Sequence, residues 1–457
     1  MSLEFTPQFT QALSKMESGK AFVFVTGRAG TGKSTLLKHF VQNTKLNTPV
    51  LAPTGVAALN VDGETIHRFF KIPPAVTPDI ARQEALERKN TGIYRKINVL
   101  VIDEISMVRA DLLDSIDAFL RAVRRNHLPF GGVRVIGIGD LYQLPPVVTP
   151  DETSAFSRFY ATPYFFSSKV YNLLSQIGMV DFLELEKVYR QKDQKFIDLL
   201  NAIRNRTATE NDLMKLNARL TYAEPPRDAI ILTPTNAAAD AINQARMAEL
   251  EHQARTFEGL AQGKFSGRDL PTEEMLELKV GARVMCVAND QHGRFVNGSL
   301  GWVRGFDQGA AMVELDGKKE PICIETYTWT MFRTKYVKKT DSVEREQIGS
   351  FKQLPLRLAW AVTIHKSQGK TFEKVTLDLG RGAFAAGQVY VALSRCTSLE
   401  GLSLLKPVTL QQIKLDSSIV QYLDSWQNAL PTPATDAPTP TIEELMPTDE
   451  PVYVEEE

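Results

Sequence analysis

The sequence predicts an α/β protein built on parallel sheets, arranged as two α/β units with a small antiparallel β module set into the second. Three observations carry this expectation. Short apolar runs rich in Val and Ile recur along the chain, each followed by a turn and a helical pattern. Continuous apolar strands that alternate with helices belong to parallel sheets covered on both faces. Residues 110–125 show the helical period clearly, and between about 281 and 357 the texture changes to short alternating segments split by Gly, Asn and Asp.

The expected strands, in order, are Ala21–Thr26, Val50–Ala52, Asn98–Ile102, Val133–Gly139, Phe182–Leu185, Ala229–Thr233, Lys374–Leu379 and Leu402–Leu405. In the helix expected at 110–125, Leu112, Leu113, Ile116, Phe119, Leu120 and Val123 form one apolar stripe. Asp111, Asp114 and Asp117 lead it and Arg121, Arg124 and Arg125 close it, the order that suits the helix dipole. The β module is read from Arg283–Val287, Gly301–Val303, Ala311–Glu314 and Ile322–Glu325. A second, smaller insertion is expected at 64–92, where Pro73, Pro74 and Pro78 interrupt the first unit.

Composition narrows the class. The 457 residues, 43% hydrophobic and 23% charged, are those of an ordinary globular protein. No run approaches the roughly 20 apolar residues that span a bilayer, so no membrane partner is expected. The N-terminus has neither a secretory nor a transit layout, and Cys286, Cys323 and Cys396 lie far apart. A reducing, cytoplasmic setting in a bacterial or phage-like host is the expectation. From Pro431 onward there are eight acidic residues, six prolines and no Lys or Arg, the composition of a disordered tail. Taking those eight from 54 acidic residues leaves 46 against 53 basic ones, a net +7 for residues 1–430. A mildly basic body permits nucleic-acid binding without establishing it.

The strongest local signal is Gly27-Arg28-Ala29-Gly30-Thr31-Gly32-Lys33-Ser34-Thr35, which follows an apolar strand and opens a helix. That is the context of a phosphate-binding loop. Backbone N–H groups close around the phosphates of ATP, Lys33 reaches the β and γ oxygens, and Ser34 offers a hydroxyl to Mg2+. Asn98–Ile102 then ends in Asp103-Glu104. Asp103 is placed at the metal and Glu104 beside the attacking water as general base. Alone, an acidic pair after a strand is more often a solvated strand end; the loop upstream favours the catalytic reading. A third strand ends Gly139-Asp140-Leu141-Tyr142-Gln143-Leu144-Pro145-Pro146. Gln143 is the candidate γ-phosphate contact, against the plainer alternative of a proline-punctuated surface turn.

Further stretches make a resemblance specific. Ala52-Pro53-Thr54-Gly55-Val56-Ala57-Ala58-Leu59-Asn60, with Gly63 to Phe70 after it, looks like the second motif region of the petite-integration-frequency (PIF) helicases, RecD-like members of helicase superfamily one. Asp117–Arg125 with Pro129-Phe130-Gly131-Gly132 resembles that family's own signature. Gly139–Pro146 resembles its third motif, Leu185–Gln191 its fourth, Ala361–Gly369 its fifth and Val391–Cys396 its sixth. The resemblance implies two RecA-like cores with ATP between them, and Arg190 and Arg395 reaching from the second core to the γ-phosphate. It implies a first core at 1–63 and 93–180, a duplex-splitting wedge at 64–92, and a second core at 181–280 and 358–430. The inserted subdomain at 281–357 would be SH3-like, and the whole chain would be an ATP-dependent helicase that travels 5′ to 3′ along single-stranded DNA. Phe5-Thr6-Pro7-Gln8 matches the adenine-reading motif loosely, and Gln11 sits close enough to compete with Gln8.

Strand contacts are expected from Thr54, Gly55, His67 and Phe69 in the first core and from Thr235, Asn236, Thr363, His365 and Lys366 in the second. Hydroxyl, amide and backbone N–H groups suit phosphate oxygens, and aromatic rings stack on bases without regard to sequence. Of Phe69 and Phe70, one is expected to be core. The partners would be single-stranded DNA and duplex junctions, bound without base readout by a chain monomeric in the free state, in replication, repair or recombination. The alternatives are an ATP-driven switch that clamps DNA or displaces proteins without separating strands, and a P-loop kinase. Asp103-Glu104, the two arginines and the second α/β unit speak against the kinase.

Overall fold

Residues 22–27 are Phe-Val-Phe-Val-Thr-Gly, and the strand they form (β1, Phe22–Gly27) is buried along its whole length. Apolar side chains on both faces require cover on both faces, which a parallel sheet flanked by helices supplies. With β2 (Val50–Ala52), β3 (Glu64–Thr65), β4 (Val99–Asp103), β5 (Arg134–Ile138) and β6 (Val180–Leu185), β1 builds one sheet in the order β3-β2-β4-β5-β1-β6, parallel throughout. The computed structural model describes residues 6–428 apart from 74–75, 222–223, 264, 266–269, 338–341 and 381–384. The acidic tail expected at 431–457 lies outside the described residues.

Register sets the functional edge. Val25 pairs with Ile138 and Ile138 with Asp103, so β1, β4 and β5 end side by side at their carboxyl ends. Ligands of open α/β sheets bind along that edge. A second parallel sheet has the order Ala361–Thr363, Ile230–Thr233, Val375–Leu377, Leu402–Leu404. The helix expected at 110–125 spans Ala110–Arg124, with every residue of its predicted stripe buried.

The inserted β structure is larger than the expected 281–357. A five-stranded antiparallel sheet runs Ile322–Ile324, Ala310–Leu315, Leu300–Asp307, Arg283–Cys286, Leu356–Leu358. Two long strands, Tyr327–Val337 and Ser342–Gln353, pair antiparallel and take Leu260–Gly263 as a third. Arg255–Glu258 pairs with Met275–Leu278. These earlier strands are mostly exposed, with Phe257 alone buried in Arg255–Glu258, so they lack the apolar signature that marks a strand in sequence.

Three expected boundaries move. β6 pairs with β1 from Phe22↔Val180 to Gly27↔Leu185, so residues 181–185 belong to the first sheet and not to the second core. The helix Ser417–Asn428 returns to the first core: Ile419 is buried there, Tyr422 stacks on Phe166 with ring centres 4.2 Å apart, and Trp426 stacks on Phe182 at 5.4 Å. Segment 64–92 begins as β3 of the core sheet, and Ile66, Phe70, Ile72, Val76, Ala81 and Ala85 are buried in the first-core cluster. Each of the larger buried side chains, Ile66, Phe70, Ile72 and Val76, contributes about 1.5–3 kcal/mol, so the segment is anchored rather than appended.

Candidate functional site: the cleft between two cores

The phosphate loop leaves β1 and enters the helix Lys33–Asn43. Gly30 at φ 85° and Gly32 at φ 87° take the left-handed backbone that glycine adopts without a Cβ penalty. A Cβ on Gly30 would lie 2.5 Å from Arg190 Cβ, a side chain of the segment that leads into the second core. Lys33 Nζ donates to Gly27 O at 2.7 Å and Arg28 O at 3.0 Å, which holds the ammonium at the mouth of the loop. Burial lowers its pKa, against the opposing pull of Asp140 and Glu104. Thr31 is buried and donates its hydroxyl to Arg28 O at 2.9 Å, whereas Ser34 and Thr35 are exposed on the first helical turn.

Asp103 ends β4 and is 9% exposed. Burial, then the neighbouring Glu104, pushes its carboxyl up to about 7. Glu104 is also pushed up by burial, while Lys33 and Arg395 pull the other way. Its backbone is left-handed at φ 51°, which turns the chain sharply after the strand. The oxygen donors of Ser34 and Asp103 suit a hard divalent cation, and no cluster of three or more His, Cys, Asp or Glu metal ligands occurs among the described residues. Few protein oxygens plus substrate phosphates is the way Mg2+ is usually held. Gln143, 7% exposed, donates Nε2 to Asp140 Oδ2 at 3.1 Å, and Asp140 is fully buried.

The second core brings cations to this edge. Tyr189 N donates to Gly30 O at 2.8 Å, which fixes Arg190 against the loop. Arg190 Nη1 donates to Ser394 O at 3.1 Å, and Gln191 Nε2 donates to Ser394 O and Cys396 O. Arg395 is 1% exposed; its guanidinium donates to Val391 O at 2.9 Å, Ser394 Oγ at 2.8 Å and Lys370 O at 3.4 Å, none of them a carboxylate. Burial and the nearby Arg190 bring its pKa down to about 9. Lys33, Glu104, Arg190 and Arg395 therefore share one electrostatic neighbourhood. Gln8 lies at the loop's flank, where its Oε1 accepts from Glu186 N at 3.2 Å; Gln11 is exposed.

Along the expected strand track the two cores repeat one device. Thr54 follows β2 and caps the helix Gly55–Asn60, its hydroxyl accepting from Ala57 N at 3.2 Å. Thr235 follows Ile230–Thr233 and caps Asn236–Ala248 through Ala238 N at 3.3 Å. Thr54, Thr235 and Asn236 are exposed, as is His365, and Lys366 is half-buried with its N–H bound to Thr363 Oγ1 at 3.2 Å. Phe69 departs from expectation. It is 5% exposed and packs edge-on to Phe70 at 4.9 Å and Tyr94 at 5.6 Å, so both phenylalanines are core and Phe69 offers no face to a base. His67 is half-buried, and burial lowers its pKa.

Two residues of the cleft were not anticipated. Tyr390 accepts from the loop's Ala29 N at 3.1 Å, and Arg204 lies across from Asp140. Arg204 had a legible signal: it is four residues after Leu200, on the same helical face as buried Phe196, Leu200 and Ile203.

A family model described as PIF1-like helicase matches residues 8–213. The human ATP-dependent DNA helicase PIF1 is 39% identical over 398 residues, 84% of this chain and 58% of that protein; this chain thus spans less than two thirds of its length. The ATP-dependent DNA helicase Pif1 of Bdellovibrio bacteriovorus is 31% identical over 413 residues, 88% of each chain. Among solved structures, Bacteroides sp. Pif1 in complex with ADP-AlF4 superposes with a TM-score of 0.86 at 35% identity, covering 93% of this chain and 98% of that one. Bacteroides Pif1 bound to ssDNA superposes with a TM-score of 0.67 at 36% identity, covering 93% and 98%.

Proposed function

This chain belongs to the PIF1-like helicase family, and from that premise we propose that it is an ATP-dependent DNA helicase that moves 5′ to 3′ on single-stranded DNA. The observation that carries the reading is Arg395: a buried guanidinium with only neutral hydrogen-bond acceptors, contributed by one core beside the phosphate loop and Glu104 of the other. A cation held this way has its charge available for a phosphoryl group, and such a finger is worth about 10³–10⁵ in rate.

Residue roles follow from position. The loop amides and Lys33 hold the phosphates, and Gln8 faces the adenine. Glu104 takes the proton of the attacking water as the γ-phosphoryl group passes to it and ADP leaves. Arg190 and Arg395 balance the charge that develops, and Gln143 orients the reacting groups. Ser34 and Asp103 would hold a Mg2+ ion, which would supply further neutralisation of the phosphates. Because Arg190 and Arg395 come from the second core, hydrolysis is tied to how the two cores sit, and the strand resting on Thr54, Gly55, Thr235, Asn236, Thr363, His365 and Lys366 is carried with them. Those groups suit a sugar–phosphate backbone, so binding is sequence-independent, to a monomer. Segment 64–92 is the wedge at the duplex junction and the β module after Arg283 an SH3-like subdomain.

The test measures ATP hydrolysis with and without single-stranded DNA, and strand release from matched 5′-tailed and 3′-tailed duplexes. Strong stimulation with release of the 5′-tailed duplex alone is expected. Stimulation without release from either substrate would leave an ATP-driven switch in its place.

A further inference from the structure

Arg204 ends the helix Gln194–Arg204, whose Phe196, Leu199, Leu200 and Ile203 pack in the second core. It is only 7% exposed, and a cation so placed is costly unless paired. Its partners come from the first sheet. Nη2 lies 3.6 Å from Asp140 Oδ1 and 3.7 Å from Glu184 Oε1, and the guanidinium carbon stands 3.8 Å from the centre of the Tyr142 ring. Arg204 Nε is buried with no hydrogen-bond partner, so the side chain is held by charge and stacking rather than by a full set of donors.

Asp140 is the hub. Its Oδ1 accepts from Tyr142 N at 3.2 Å and its Oδ2 from Gln143 Nε2 at 3.1 Å. An ionised carboxylate only accepts, so the nitrogen of the Gln143 amide must face it and the carbonyl oxygen must point away. The Gln143 amide therefore has one admissible orientation, fixed by a buried carboxylate whose counter-charge belongs to the other core.

We propose that Arg204 is a positioning residue for hydrolysis: by reaching across the cleft to Asp140 it fixes Gln143 with its carbonyl oxygen presented as an acceptor to the attacking water. This deepens the functional reading above and rests on it. When the cores separate, Arg204 withdraws, Asp140 loses its counter-charge, and the Gln143 amide is no longer held. Core closure is thereby read out at the water as well as at the γ-phosphate.

The experiment compares steady-state ATP hydrolysis, with saturating single-stranded DNA, in the full chain and in Arg204→Met, Arg204→Lys and Glu184→Gln. Methionine keeps length and apolar bulk but removes the charge. Arg204→Met should lower kcat about 100-fold, the scale of a 1 Å misplacement, with a much smaller change in KM for ATP. Arg204→Lys should recover most of that loss, and Glu184→Gln, which leaves the Asp140 pair intact, should match the parent. A merely structural role would lower the melting temperature and leave kcat per folded molecule parental, and that result in Arg204→Met overturns the proposal. Should Arg204→Met not fold, Asp140→Asn neutralises the same pair without changing shape; it must then show the kcat-selective loss, and a parental kcat overturns the proposal equally. A parent chain that shows no DNA-stimulated hydrolysis would instead defeat the functional reading, before any variant is compared.

Discussion

Tyr390 Oη accepts a hydrogen bond from Ala29 N at 3.1 Å, joining a buried phenol of the second core to the backbone of the phosphate loop in the first. Burial, then Asp140, pushes the phenol up to about 12, so it stays neutral over the working range. Ala29 is 7% exposed, so its N–H has little access to water once the phenol is gone. Tyr390→Phe should therefore destabilise the closed pair of cores by about 1–3 kcal/mol, the cost of an unmade buried hydrogen bond. Urea unfolding checks this, and an unmoved midpoint would mean that Ala29 N finds another acceptor.

Lys33→Ala should abolish hydrolysis while DNA affinity stays within a few fold of the parent. Lys33 is bound to the loop carbonyls of Gly27 and Arg28, whereas Thr54 and Thr235 cap helices elsewhere. Fluorescence anisotropy with a labelled oligonucleotide measures the second quantity. Equal loss of both would show that the loop supports the strand site.

Arg395→Ala and Arg190→Ala should each lower kcat by about 10³ or more with smaller effects on nucleotide Kd, since a finger acts mainly in the transition state. Removing Arg395 also takes a donor from Ser394 Oγ and one of two side-chain donors from Val391 O, which keeps the Ser394 hydroxyl, so folded protein must be verified by circular dichroism. A parental kcat in either folded variant would return that arginine to a structural role.

Much of the fold was legible because its strongest signals are local. β1 is apolar on both faces, the loop after it carries glycines where the backbone is left-handed, and the stripe of Ala110–Arg124 keeps its period for four turns. What was misread depends on partners. Nothing in Val180–Leu185 states that it pairs with β1 rather than with a strand of the second core, because a parallel strand looks alike in either sheet. Ser417–Asn428 follows the second core in sequence but buries its apolar face on Phe166 and Phe182 of the first. Phe69 and Phe70 are adjacent, and a short helix that buries one would normally expose the other; Tyr94 closes over both and Phe119 over Phe70. Of the site, the phosphate loop and Asp103-Glu104 were legible from local pattern and Arg190 and Arg395 only through the family resemblance, while the roles of Arg204 and Tyr390 are defined by what they touch across the cleft.

The C-terminal helix yields a paired prediction. Ending the chain after residue 430 removes the eight tail acids and retains Tyr422 and Trp426, so melting temperature and ATPase should stay close to parental. Tyr422→Ala should cost about 3 kcal/mol, because the ring stacks at 4.2 Å on Phe166 and lies against Tyr171. Differential scanning calorimetry of the two proteins checks both. A large loss on tail removal alone would show that the tail docks.

Opening one base pair costs about 1.4 kcal/mol of stacking on average, within reach of one ATP turnover, but the motor needs a rigid obstacle at the junction. Replacing residues 71–90 with a Gly/Ser linker would be a poor test, because it strips buried Ile72, Ala81 and Ala85 from the first core and should unfold it. The helix Pro78–Leu86 offers a cleaner one. It is anchored by Ala81 and Ala85, and by Arg88 Nη2 donating to Phe70 O at 3.1 Å, while Ile80 and Leu86 are 38% and 65% exposed. Two exposed apolar side chains on a rigid helix suit a surface against which a terminal base pair is broken. Ile80→Ser with Leu86→Ser should leave melting temperature and DNA-stimulated ATPase near parental, since surface changes usually stay within about 0.5 kcal/mol. Release from a 5′-tailed duplex should fall sharply in a gel-based unwinding assay. Release at the parental rate would remove this helix from the wedge, and release of a 3′-tailed duplex instead would reverse the direction of travel.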